Sequence, residues 1–155
     1  MTNKKCFLIP VALILVATML MTPLANAVPV TTMYVYSVVT QYGVTNPNNV
    51  KGSAPDGAYA IMDGYDSKII IEMSSAPPSG AKIKIYAYAY SGSPQVKSYS
   101  SSSSTFPSNS PVLKTTTIGT TLQEYDVGTL PGSHKYIALS NYGGSLYIDH
   151  IKVTY

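Results

Sequence analysis

The sequence lacks several residue types on which common protein sites depend. Its 155 residues include one cysteine, Cys6, and no tryptophan or arginine. A single cysteine excludes an internal disulfide and a zinc–thiolate site. Charged residues make up only 11% of the chain, and without arginine there is no basic stripe of the kind that binds nucleic acid. Tyr, Ser, Thr and Gly are abundant instead, which is typical of a β-rich extracellular surface kept soluble by hydroxyl groups more than by charge.

The N-terminus has the three-part layout of a secretory signal peptide. Two lysines precede an apolar block over residues 6–21, and the small-residue motif Ala25-Asn26-Ala27 follows. We predict cleavage after Ala27, which leaves a signal peptide over 1–27 and a secreted or cell-surface domain over 28–155. The alternative is a retained membrane anchor, because the apolar block approaches the roughly 20 residues that span a bilayer.

Cleavage would leave a nearly neutral, cysteine-free domain. Loss of Lys4, Lys5 and Cys6 takes the net charge from +3 to about +1 and removes the only thiol. Small animal extracellular domains usually carry disulfides, so an exported chain without cysteine indicates a prokaryotic cell surface. The remaining length suits one domain with its own core.

Strand patterns dominate the chain after residue 28. No segment keeps a helical period for three turns, whereas short β-patterns recur between Gly, Pro and Asn clusters. We predict an all-β antiparallel sandwich, a jelly roll of eight or nine strands. The predicted strands cover 31–40, 58–63, 68–73, 82–90, 95–100, 121–127, 135–141 and 146–155, with a ninth over 112–118.

Three segments between these strands carry specific predictions. "DGYD" (63–66) and "NYGG" (141–144) have the composition of short strand connections. The serine-rich "SSSSSTFPSNSP" (100–111) predicts a mobile surface loop, and the alternative is an O-glycosylated segment.

The segment "AKIKIYAYAYSG" (81–92) predicts a strand with two different faces. A period of two directs Ile83, Ile85 and the two following alanines inward. The opposite face then carries a row of three tyrosines: Tyr86, Tyr88 and Tyr90. Three interpretations remain open, namely a solvated sheet face, a sugar-stacking platform and a subunit contact.

Two further segments resemble a known superfamily. "NPNNVKGSAPDGAYAIMDGYDSKIIIEM" resembles the opening, and "HKYIALSNYGGSLYIDHIKVTY" the closing strands, of secreted jelly-roll domains in the galactose-binding-like superfamily, which includes carbohydrate-binding modules. The resemblance spans roughly residues 45–155 as an ordered set of patterns. It implies a β-sandwich and an extracellular setting. It does not by itself imply a ligand, because the superfamily also includes adhesion and surface-coat domains.

Catalytic patterns are weak in this sequence. No serine lies in Gly-x-Ser-x-Gly, and His134 and His150 lack metal-ligand spacing, so we interpret them as a turn donor and a packed strand residue. Asp63 and Asp66 could only be proposed as a glycoside-hydrolysing pair. We therefore predict a protein that is not an enzyme, with a small hydrolase as a residual alternative.

Calcium is the better metal candidate. Asp56, Asp63 and Asp66 lie near predicted turns, and hard cations need several oxygen ligands. The resemblance implies a structural calcium ligated by a carboxylate of the last strand, to which Asp149 corresponds through its Ile-Asp-x-Ile setting. A tentative calcium site therefore comprises Asp149, Asp63 and Asp66. The alternative is that Asp56 and Asp63 brace turns and that Asp149 caps an edge.

These observations predict a secreted or cell-surface binding module for carbohydrate. Tyr86, Tyr88 and Tyr90 would stack against sugar, and Asp56 and Asn49 in nearby turns would bond its hydroxyls. The alternative is a self-associating coat, filament or matrix subunit. It is suggested by the low charge and by "VPVTTMYVYSVV" (28–39), which could pair with a neighbour's sheet edge.

Overall fold

A computed structural model describes residues 29–155, so the predicted signal peptide and the membrane-anchor alternative lie outside the described residues. Within that range no helix is long and apolar enough to cross a membrane. The described part contains eight strands and one 3-10 helix, Pro47–Val50. The strands are β1 Thr32–Tyr42, β2 Val44–Thr45, β3 Ala60–Met62, β4 Ser67–Met73, β5 Lys82–Ser101, β6 Lys114–Thr117, β7 Gln123–Thr129 and β8 Tyr136–Thr154.

Two long strands, β5 and β8, organise the whole sheet. They pair antiparallel from Lys82 opposite Thr154 to Ser101 opposite Tyr136. β7 flanks the first half of β5, and β3 flanks the second half of β8. β6 flanks the second half of β5, while β4 and then β1 flank the first half of β8. The sheet thus curls into the two layers of a β-sandwich, which confirms the predicted fold class.

Glycines allow the two long strands to bend together. Gly92 lies opposite Gly144, and just beyond them Ser93, Pro94 and Gly143 have no partner in the ladder. Gly92 has a φ of +70°, and a Cβ on it would lie 2.6 Å from the carbonyl oxygen of Gly143. The predicted "NYGG" connection is therefore wrong. Segments 82–90 and 95–100, predicted as separate strands, form one bent strand, and so do segments 135–141 and 146–155. Glycine permits each strand to bend, and pairing resumes at Gln95 opposite Tyr142.

The core lies between the two layers and follows the predicted alternation. Ile83, Ile85 and Ala87 are fully buried, and Ala89 is nearly so. The isoleucines of β4 and the apolar residues of β8 fill the rest of the space. The largest fully buried side chains are Met62, Ile69, Ile71, Met73, Ile83, Ile85, Ile118, Leu130, Ile137, Leu139, Leu146 and Ile148.

A buried asparagine ties the bend to the neighbouring connection. Asn141 is fully buried, and its Nδ2 donates to the carbonyl oxygens of Met62 (3.1 Å), Gly64 (3.4 Å) and Gly144 (2.7 Å). Buried amides need such partners, since an unpaired one costs about 1–3 kcal/mol. The predicted "DGYD" connection between β3 and β4 is confirmed, and Asn141 holds it beside the bend of β8.

We expect Gly92→Ala to destabilise the domain more than Gly57→Ala. Both glycines have positive φ, and alanine at either should cost about 1 kcal/mol for the left-handed backbone. Gly57 has open space where a Cβ would go, whereas a Cβ on Gly92 meets the Gly143 carbonyl. Urea denaturation should therefore show a loss of about 3 kcal/mol or more for Gly92→Ala. Equal losses would mean that the close approach at the bend is not needed.

Candidate functional site

The tyrosines of β5 lie on the outer face of the layer that contains β3 and β7. Tyr86 and Tyr88 are half-buried, and Tyr90 is 67% exposed. Tyr90 is also the extra residue of a β-bulge, since Ala89 pairs with Leu146 and Ser91 with Ser145. A bulge redirects a side chain, so it helps to place Tyr90 at the open end of the row.

The ring of Tyr147 on β8 packs against three other tyrosine rings. Its ring centroid lies 5.2 Å from that of Tyr88, 4.9 Å from that of Tyr90 and 5.8 Å from that of Tyr59. Tyr59 also meets Tyr88 edge-on at 5.5 Å. We call these four residues the tyrosine cluster. Such pairs are each worth about 0.5–1.5 kcal/mol beyond their buried area, so the rings support one another.

Two phenols of the cluster, Tyr88 and Tyr147, have a raised pKa and stay protonated at neutral pH. Burial raises the pKa of Tyr88, and the neighbouring Tyr59 and Tyr90 raise it further. Burial likewise raises the pKa of Tyr147, with added effects from Tyr90, Tyr88 and Asp63. These hydroxyls can therefore donate as well as accept hydrogen bonds.

A short polar row borders the tyrosine cluster. Ser145 lies two residues before Tyr147, and its hydroxyl donates to the exposed carboxylate of Asp63. Ser91, next to Tyr90, donates from its hydroxyl to that of Ser145 at 3.1 Å. Carboxylate and hydroxyl oxygens thus lie beside the most exposed ring of the cluster. We call Asp63, Ser145 and Ser91 the polar row.

Tyr86 belongs to a separate aromatic group. Its ring stacks on that of His150 with centroids 5.4 Å apart and planes 14° apart, and Tyr34 meets the same imidazole edge-on at 6.2 Å. His150 is only 4% exposed, so it is a packed strand residue, as predicted. The three predicted tyrosines are therefore divided, with Tyr88 and Tyr90 in the cluster and Tyr86 outside it.

Asn49 and Asp56 lie in the segment that leads to Tyr59. The amide Nδ2 of Asn49 donates to the carbonyl oxygen of Tyr59 at 3.1 Å. Asp56 Oδ1 accepts from the backbone N–H of Ala58 at 2.8 Å, which closes a turn within its own segment. These contacts give the two residues a part in positioning Tyr59. Their predicted bonds to a sugar stay a prediction.

Asp149 occupies a β-bulge in β8. Tyr86 pairs with His150 and Ala87 with Ile148, so Asp149 has no ladder partner. Its side chain is 1% exposed, yet both carboxylate oxygens have partners. Oδ2 accepts backbone N–H groups of Asp56 (3.2 Å) and Gly57 (3.3 Å), and Oδ1 lies 2.8 Å from His150 Nδ1. Asp149 thereby anchors the segment before Tyr59.

This arrangement does not fit a calcium ion. Calcium requires several converging oxygen ligands, whereas N–H donors and a ring nitrogen surround Asp149. Asp63 and Asp66 lie at the β3–β4 connection, and residues 29–155 contain no group of three or more His, Cys, Asp or Glu side chains that could hold a metal. Asp149 instead accepts the N–H groups of the turn at Asp56 and Gly57, and the calcium predicted at Asp149, Asp63 and Asp66 stays a prediction.

His134 makes one notable contact. Its Nδ1 lies 2.7 Å from the hydroxyl of Ser100, and both residues are half-buried. A serine nucleophile normally needs a base that is itself oriented by a third group. Within the described range no carboxylate lies within salt-bridge distance of the His134 ring. This contact joins the end of β5 to the turn before β8.

Sequence reasoning found part of this site. Alternation placed Tyr88 and Tyr90 outward, and Tyr147 lies in the strand predicted over 146–155. Tyr59 and the polar row were missed. Tyr59 lay inside the strand predicted over 58–63 with no local sign of its partner, and Asp63 was assigned to a metal. The tyrosine after "PDG" was visible in the sequence, but only the fold brings it to β8.

We expect Asp149→Asn to lower the free energy of unfolding by about 2–3 kcal/mol, because an amide cannot accept all the bonds of the buried carboxylate. Asp66→Asn is the matched control, since Asp66 is exposed. Thermal melts should also show that neither calcium nor EDTA shifts the Tm of the unmodified protein. A calcium-dependent rise in Tm that Asp149→Asn abolishes would instead establish a structural ion at Asp149.

Comparison with solved structures identifies the fold. A truncated AlyQ with CBM32 and alginate lyase domains shares 14% identity at a TM-score of 0.61, over 82% of this chain and 34% of that one. A pectin-binding carbohydrate-binding module shares 15% identity at a TM-score of 0.58, over 78% of this chain and 91% of that one. The carbohydrate-binding module CBM6cm-2 from Cellvibrio mixtus lichenase 5A, in complex with cellotriose, shares 14% identity at a TM-score of 0.52. The match covers 81% of this chain and 96% of that one.

This chain thus spans about a third of the AlyQ structure but nearly the full length of the two single modules. No family model and no curated protein matches it. The structural likeness agrees with the β-sandwich that the motifs at 46–73 and 134–155 imply. The chain has a β-sandwich fold similar to that of these carbohydrate-binding modules.

Proposed function

We propose that this chain is a non-enzymatic, exported carbohydrate-binding module and that the tyrosine cluster with its polar row is the binding surface. The observation that carries the proposal is the exposed ring of Tyr90, which packs against Tyr147 beside Asp63, Ser145 and Ser91. A sugar ring has an apolar C–H face and a rim of hydroxyls. An aromatic platform beside carboxylate and hydroxyl oxygens complements both.

The packing of the cluster favours binding in a second way. Tyr147 is held by Tyr59 and Tyr88, so its ring has few alternative rotamers to lose when a ligand binds. Preorganised rings reduce the entropic cost of association. Tyr59 and Tyr88 therefore support the platform, while Tyr90 and Tyr147 form its contact surface. Asn49 and Asp56 support the same surface indirectly, through Tyr59.

The comparisons support a glycan partner. Two of the structural neighbours are described as pectin-binding and as bound to cellotriose. A glycan at the cell surface or in an extracellular matrix also suits the signal peptide predicted over 1–27. No catalytic step is assigned to the Ser100–His134 pair, because no carboxylate in the described range orients the imidazole.

The structural neighbours do not favour the alternative of a self-associating subunit. Such association would use β1, whose outer residues Tyr36, Val39 and Tyr42 are exposed. Light scattering at high concentration tests this alternative, because a coat or filament subunit must self-associate and a strictly monomeric protein would contradict it.

We expect Tyr90→Ala to weaken glycan binding by about tenfold or more, since it removes the exposed stacking surface. Tyr36→Ala is the matched control, because Tyr36 is equally exposed, at 67%, but lies on β1. A glycan array identifies the ligand, and calorimetry then compares the variants. Tyr90→Phe should retain most of the affinity if stacking dominates.

Two outcomes would contradict this proposal. One is the absence of binding to every glycan on the array. The other is a bound glycan whose affinity is the same for Tyr90→Ala as for the unmodified protein. Melting curves of each variant show whether the fold is intact, which matters most for Tyr147→Ala because Tyr147 contacts three other rings.

A further inference from the structure

A cavity lies on the outer face of the other layer and shares no lining residue with the tyrosine cluster or the polar row. Its floor is formed by Lys68 of β4, Tyr99 of β5, and Ser140 and Tyr142 of β8. Its volume is about 250 Å³. That is below the roughly 300–1,000 Å³ typical of pockets for drug-sized ligands, so the cavity suits a single sugar ring.

The serine-rich segment forms the wall of this cavity. Phe106 is half-buried over the floor, and its ring centroid lies 5.6 Å from Lys68 Nζ. The segment has its own turn, in which the N–H and hydroxyl of Ser110 both donate to the carbonyl oxygen of Pro107 at 3.0 and 2.8 Å. Residues 106–110 thus form a turn that closes one side of the cavity, within the connection between β5 and β6.

The lysine in the cavity is one of four lysines in residues 29–155 that have no carboxylate partner. Lys84, Lys114, Lys135 and Lys152 each pair with a carboxylate, but within residues 29–155 Lys68 has no carboxylate within salt-bridge distance. Lys97 is likewise without one, and its Nζ lies 4.3 Å from the ring centroid of Tyr142, although Lys97 does not itself line the cavity. One ammonium group in the cavity, with a second against the ring of Tyr142, favours an anionic ligand.

The other lining groups favour a ligand with a ring and several hydroxyls. Tyr99, Tyr142 and Phe106 provide aromatic surfaces for stacking. The hydroxyl of Ser140, which is 6% exposed, and the exposed carboxylate of Asp66 can bond to hydroxyl groups. Inorganic phosphate or sulfate would use the ammonium group but would leave the aromatic surfaces without a partner.

We infer that this cavity is a second saccharide site, which takes a carboxylate-bearing sugar unit of the uronic acid type. The sugar carboxylate pairs with Lys68 Nζ, the ring packs against Tyr142 and Phe106, and the hydroxyls bond to Ser140 and Asp66. The site is independent of the binding surface proposed above, so either can exist without the other.

Calorimetry of the full domain with digalacturonic acid and with galactobiose tests this inference. These disaccharides differ in the carboxylate and match in ring size. We expect the acidic disaccharide to bind more tightly than the neutral one, by about tenfold or more. Only the acidic disaccharide has a carboxylate that can form a charge-assisted hydrogen bond with Lys68. Lys68→Met should remove this preference and keep the packing of the lysine stem. Lys51 is an exposed lysine outside the cavity, so Lys51→Met should leave the preference for the acidic disaccharide unchanged.

Several outcomes would overturn the inference. These are equal affinity for the two disaccharides, an unchanged preference in Lys68→Met, or inorganic phosphate binding as tightly as the acidic disaccharide. Phe106→Ala provides a second check, because loss of the cavity wall should weaken binding without removing a charge. If Tyr90→Ala rather than Lys68→Met abolishes binding, the ligand lies on the tyrosine cluster, and only the cavity site is refuted.

Discussion

The pairing of β5 with β8 is the interaction on which the rest of the structure depends. These two strands run the length of the domain and enter both layers, so one ladder determines the register of both outer faces. In one layer it places Tyr88 opposite Tyr147, and in the other it places Tyr99 opposite Ala138. The bend at Gly92 and Gly144 allows a single pair of strands to do this, because no side chain separates the two backbones there.

The departures from regular pairing build the tyrosine surface. The bulge at Asp149 places a buried carboxylate where it accepts the backbone N–H groups of Asp56 and Gly57. The segment that follows then presents Tyr59 to Tyr147. The second bulge places Tyr90 at the open end of the row. The cluster thus depends as much on irregular backbone as on the alternation that surrounds it.

The two layers offer different chemistry to a ligand. The tyrosine cluster combines phenol rings with the nearby carboxylate of Asp63, an arrangement that complements hydroxyl groups. The cavity combines aromatic rings with Lys68, and Lys97 lies against Tyr142, one of the lining residues. The same curled sheet therefore has two outer surfaces that differ in charge, because different halves of β5 and β8 form them.

The sequence by itself determined the all-β class, the inward isoleucines and alanines of β5 and the outward tyrosines, because a period of two is a local property of a strand. Its ordered motifs also indicated the superfamily fold. Only the tertiary structure joined four predicted strands into two, divided Tyr86 from Tyr88 and Tyr90, and brought Tyr59, Asp63 and Phe106 to their surfaces. These outcomes depend on pairing between residues far apart in the chain, on glycine bends and on bulges, which no local pattern specifies.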